Sequence, residues 1–84
     1  MSVHKAITNH VNKQNKRMKD FIILDQQREL YIEEAIQLCK EDKVFKTDKI
    51  NEVTKQINEL AKQGIVPTRK LVTPEMVREY VGRQ

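Results

Sequence analysis

Residues 20–40 read DFIILDQQRELYIEEAIQLCK, and the phase of that stretch decides the fold. At about 100° per residue, Phe21, Ile22, Ile32, Ile36 and Cys39 fall within one arc of roughly 100°. Followed backwards in the same phase, the arc collects Met18, Val11, Ile7 and Val3, with no Gly or Pro between residues 3 and 39. Asp25 and Glu29 interrupt the stripe without shifting it. Ser2 is a good N-cap type. The pattern predicts one long helix over about 3–41. The alternative is a break near Lys19-Asp20, with Asp20 capping a second helix.

The halves of this helix differ. From residue 20 onward Leu24, Tyr31, Ala35 and Leu38 widen the apolar face to what a globular core needs. Before residue 20 the stripe is thin, and Asn9, Asn12 and Asn15 are mediocre helix formers. Charge divides the same way. Residues 1–19 carry Lys5, Lys13, Lys16, Arg17 and Lys19 and no acid, while residues 20–42 carry seven acids against two bases. A block of +5 is thus followed by one of −5, and the remaining chain brings the total to +4.

A short connector at 42–46 places Val44 and Phe45 where they are expected to tuck back onto the helices. Thr47 or Asp48 then caps a second helix whose Ile50, Val53, Ile57, Leu60 and Ala61 keep to one face. Gly64 stands where a C′ glycine belongs. Ile65-Val66-Pro67 must leave the helix, because a residue before proline avoids the right-handed helical region. Thr73-Pro74 with Glu75 restarts one, with Thr at N-cap and Pro at the first helical position. Met76, Val77, Tyr80 and Val81 are expected on its inner face, with Gly82 at its end. The expected fold is all-α: a long first helix, a second folded back on its C-terminal half, and a short third helix closing the core of a single domain, 1–84.

Length then bears on assembly. A helix over 3–41 is roughly 58 Å long, and a second of about 16 residues spans only about 24 Å. The second helix therefore covers only the nearer half of the first. Residues 1–19 are left to fray, to project as a basic arm, or to be buried by another copy of the protein. An apolar stripe kept in phase on such a projection favours self-association through Val3, Ile7, Val11 and Met18, as a homodimer.

Composition excludes several classes. With 84 residues there is room for one domain, and two Gly and two Pro are too few for the turns of an all-β domain. The longest apolar run, Phe21-Ile22-Ile23-Leu24, is too short to span a bilayer, so no membrane role is expected. One cysteine forms no internal disulfide, which makes a reducing cytoplasm the expected location.

Candidate catalytic and metal-binding groups are sparse. His4 and His10 lie six apart, about 240° around a helix, badly placed to share a metal. Cys39 lies on the buried arc among mixed charges, a setting for a core thiol rather than a nucleophile. Glu33 and Glu34 diverge by about 100°. Asp25 and Glu29 share the apolar face; Arg28 is placed to pair with Asp25 along the helix, and Glu29 has no cation three or four residues away. Such a polar break inside a seam usually fixes register. Two glycines make no phosphate loop. No enzyme, cofactor or small-molecule substrate is expected.

The best functional signal is the basic stretch NKQNKRMK at 12–19. Lys13, Lys16, Arg17 and Lys19 are suited to nucleic-acid phosphates or an acidic protein surface. They are equally suited to the acidic 20–42 half of a second copy running antiparallel. No aromatics are interleaved for base stacking. A second hint is LAKQGI at 60–65, which looks like the first helix and turn of a helix-turn-helix unit, followed by Arg69 and Lys70. A recognition helix starting near Thr68 would hold Pro74 in its interior, which breaks it. Nucleic-acid binding through 13–19 and 69–70 is therefore the alternative to self-association.

The stretches VHKA (3–6) and YIEEA (31–35), and the run from DKIN (48–51) through GIVPTRK (64–70), give the chain a further likeness. Nearly end to end it resembles a family of short helical proteins of unknown function from Gram-positive spore-forming bacteria. That resemblance implies a bacterial cytoplasm and transfers no catalytic residue or ligand.

Overall fold

A computed structural model describes residues 2–64 and 66–82, with side chains from Asn15 onward. It holds three helices, α1 (Ser2–Lys40), α2 (Asp48–Ala61) and α3 (Pro74–Gly82), and no strand among the described residues. Helix α1 runs unbroken through Lys19-Asp20, which rules out the two-helix alternative. Its 39 residues make a rod of about 58 Å, and the molecule measures 62 × 20 × 17 Å.

No glycine marks the end of α1. Asp42 takes the left-handed conformation instead, at φ 57°. Its N–H donates to the Cys39 carbonyl at 3.1 Å, and the Lys43 N–H donates to the Leu38 carbonyl at 2.9 Å. These are the two bonds of a Schellman motif, with aspartate in the place usually held by glycine. Glu41 fastens the same turn, accepting from Gln37 Nε2 at 3.1 Å and pairing with Lys43 Nζ at 3.2 Å. The Gln37 hydrogen bond, and then Lys43, hold the Glu41 carboxyl below the usual glutamate range.

Thr47 occupies the N-cap of α2 as expected, but its hydroxyl makes no capping bond; its buried carbonyl accepts from the Asn51 N–H at 3.0 Å. Ile50, Val53, Thr54 and Ile57 form the buried face of α2, and Leu60 and Ala61 are half-buried. Gly64 has φ 78°, the left-handed value that a glycine adopts without a Cβ penalty. An irregular strap over 66–73 leads to α3, where Thr73 Oγ1 accepts from the Met76 N–H at 3.2 Å and Pro74 opens the helix. At this end of the molecule one expectation is met in part and another fails. Met76 and Tyr80 line a cleft against Ile32 and Ile36 but stay 45% and 51% exposed, leaving Val77 as the buried residue of α3. Val44 is 89% exposed, and only Phe45 turns inward, with the Arg78 guanidinium 5.6 Å from its ring centre.

The core joins Ala35, Ile50, Val72 and Val77, flanked by Tyr31, Ile32, Ile36, Cys39 and Phe45. Helix α2 crosses α1 along Leu24, Arg28, Tyr31 and Ala35, a line about 90° around the helix from the centre of the apolar stripe. Ala35 supplies the reason. It is the smallest residue in this half of α1, and it is where the helices close on Ile50. The stripe is covered from its other side, by the strap over Phe21 and Asp25 and by α3 over Ile32 and Ile36. Met18, nearer the N-terminus, and Ile22, farther round, remain 50% and 51% exposed.

Candidate interaction surface

The strap is fixed to α2 by side-chain amides. Asn58 Nδ2 donates to the Arg69 carbonyl at 3.0 Å, and the Arg69 N–H donates to Asn58 Oδ1 at 2.8 Å. Asn51 repeats the pattern on Val72, at 2.8 and 2.7 Å. Seven helical residues rise about 10.5 Å, and three extended residues reach about 10 Å. Two asparagines two turns apart therefore match backbone groups three residues apart, and an irregular segment is held as a strand would be.

One guanidinium ties the three layers together. Arg28 Nε donates to Thr54 Oγ1 on α2, and Arg28 Nη2 donates to the Lys70 carbonyl of the strap, each at 2.9 Å. Thr54 is fully buried and donates its own proton to the Ile50 carbonyl at 2.7 Å. Burial lowers the Arg28 pKa, the Arg69 charge lowers it further, and Asp25 opposes both. The expected pairing of Arg28 with Asp25 along α1 is therefore corrected. Asp25 pairs with Arg69, whose Nε lies 3.0 Å from Oδ1, and the Arg69 head stands 5.4 Å from the Phe21 ring centre. A tertiary partner with a planar fork displaces the neighbour three residues away.

These contacts place the candidate site residues. Lys16 and Lys19 are exposed, and Arg17 is half-buried at the mouth of an open groove of about 500 Å³ between Leu24 and Leu60, with Asp20 and Glu59 beside it. Arg69 is committed to Asp25, and Lys70 is exposed with its carbonyl held by Arg28. Lys16 and Lys19 point from α1 at least about 120° away from the Asp25–Arg28 side that carries the strap. Lys16 and Lys19 therefore form no single basic patch with Arg69 and Lys70. The side chains of Val3, Ile7, Val11 and Lys13, and of His4 and His10, lie outside the described residues. Cys39 is half-buried. Among the described residues no group of three His, Cys, Asp or Glu is placed to hold a metal, and no helix is long and apolar enough to cross a membrane.

The family of proteins of unknown function designated DUF2533 matches residues 1–83, and the chain belongs to it. It is similar to the uncharacterized protein YpbS of Bacillus subtilis (strain 168), with 58% identity over 81 residues that cover 96% of this chain and 95% of that protein. No solved structure matches.

Proposed function

We propose that this member of a family of unknown function is a non-enzymatic interaction module that self-associates through the length of α1 its own fold leaves uncovered. The observation carrying this reading is a mismatch of lengths. Helix α2 has 14 residues, about 21 Å, against about 58 Å for α1. Met18 is half-exposed where the groove beside Leu60 runs out, and it is in phase with Val3, Ile7 and Val11. A second copy running antiparallel would set the basic block 1–19 against the acidic block 20–42. A reducing cytoplasm suits the half-buried Cys39.

The nucleic-acid alternative has less support, because Arg69 already has an acidic partner and Lys16 and Lys19 face away from the strap. Light scattering of the full chain from low to high micromolar concentration tests the proposal. A dimeric mass that dissociates on dilution is the expected result, and a monomeric mass throughout overturns it.

A further inference from the structure

The side of α1 facing away from α2 carries two apolar side chains among its polar ones. Ile22 and Leu30 are 51% and 63% exposed, whereas Ile23 lines the groove beside Leu60. Ile22 and Leu30 share an arc of about 80°, centred roughly opposite the Leu24–Ala35 line, with Lys19, Gln26 and Glu33. Those three are exposed, and neither Lys19 nor Glu33 forms an ion pair among the described residues. Scattered exposed apolar residues are ordinary, but Ile22 and Leu30 are ordered with the charges around them.

The order of these residues is symmetric about Gln26. Ile22 and Leu30 lie four positions to either side, and Lys19 and Glu33 lie seven, about 10.5 Å along the axis. A two-fold axis through Gln26 therefore brings Ile22 of one copy to Leu30 of the other, and Lys19 to Glu33, twice over. A parallel pairing would set Lys19 on Lys19 and Glu33 on Glu33. Self-complementarity of this kind is what an interface between identical copies requires.

We infer that two copies of the chain meet antiparallel across the outer face of α1, on a two-fold axis at Gln26, with Ile22 and Leu30 buried and Lys19 paired with Glu33 of the second copy. This rests on the reading of the protein as self-associating and adds the surface, the orientation and the centre. The face differs from the Val3–Met18 stripe, so the two are separable by experiment.

The test is the dimer dissociation constant of the full chain by analytical ultracentrifugation, with far-UV circular dichroism confirming that each variant folds. Lys19→Glu and Glu33→Lys alone should each weaken the dimer about tenfold, since each sets two like-charge contacts in the interface. The double variant should return to within about threefold of wild type, because both pairs are restored with reversed sign. As an independent probe, Gln26→Cys in a Cys39→Ser background should give a covalent dimer under mild oxidation, since residues on the axis face their own copies. A monomer at every concentration overturns both the proposed function and this inference. A wild-type dimer indifferent to all three charge variants, with no crosslink at position 26, overturns this inference alone and leaves the Val3–Met18 stripe as the interface.

Discussion

The Asn58 side-chain amide and the Arg69 peptide exchange two hydrogen bonds, at 3.0 and 2.8 Å, and Asn51 does the same with Val72. The core depends on these clamps, because Val72 is one of its buried members and the strap has no regular secondary structure to hold it there. Asn51→Ala removes both bonds and leaves a part-buried N–H and carbonyl without partners, at a cost of about 1–3 kcal/mol. Asn51→Asp keeps the acceptor for the Val72 N–H but sets a carboxylate against the Val72 carbonyl, so it should also destabilise. Urea unfolding checks both, and the Asn58 variants should follow with smaller losses, because Arg69 is also held by Asp25.

Arg28 bonds α2 and the strap through two nitrogens of one rigid fork. A lysine ammonium lacks that spacing, so Arg28→Lys should cost about 1–2 kcal/mol although the charge is kept. Thr54→Val preserves the shape and removes the acceptor, leaving Arg28 Nε unpaired, and should cost about 1–3 kcal/mol. Because the two changes remove one shared contact, the double variant should lose less than the sum. Strict additivity in chemical denaturation would show that the contact contributes nothing.

How much of this was legible in the sequence follows from the reach of each signal. Periodicity marked all three helices, and Thr73-Pro74 and Gly64 marked their punctuation, because those signals are local. The line on α1 along which α2 docks was not legible. The stripe from Val3 to Cys39 is the stronger periodic signal, yet it records what the strap and α3 cover as well as what α2 covers. Ala35 sets the crossing, and a small residue carries little weight in a hydrophobic pattern. The Asn51–Asn58 clamp leaves only a seven-residue spacing, readable once the strap is known to run antiparallel to α2. Arg28 drew the nearest carboxylate in sequence, whereas its partners lie 26 and 42 residues away.

Helix ends offer a test with opposite signs. Asp42 pays for its left-handed backbone, at φ 57°, whereas a glycine does not. Asp42→Gly should therefore stabilise by about 0.5–1 kcal/mol, an effect that chemical denaturation resolves. Gly64, at φ 78°, has open space where a Cβ would project, so Gly64→Ala meets no clash and should cost about 1–2 kcal/mol through backbone strain alone.

Glu41 gives a pH dependence of defined sign. Its carboxyl is held below the usual glutamate value, by Gln37 first and Lys43 second. The clasp is therefore fully present above the unfolded-state value and is lost as the pH falls through the lower, folded-state value. NMR titration of the Glu41 carboxyl carbon should give a midpoint below that of an unstructured glutamate. Gln37→Ala should move it upward, and an unchanged midpoint would show that the Gln37 bond does not form in solution.

Asp25 and Arg69 separate a structural from a nucleic-acid role for the basic strap. The pair is about two-thirds buried and reinforced by the Phe21 ring, so Arg69→Gln should cost about 1–2 kcal/mol of stability. Asp25→Asn should cost a comparable amount, and the two losses should not add. If Arg69 instead contacted phosphate, Asp25→Asn would free its guanidinium and strengthen binding to duplex DNA. Fluorescence anisotropy at about 50 and 200 mM salt distinguishes the cases, since each phosphate contact adds close to one to the logarithmic salt slope. The expected outcome is that neither variant changes the slope while both lower the urea midpoint. A steeper slope in Asp25→Asn would return Arg69, with Lys70, to the nucleic-acid reading.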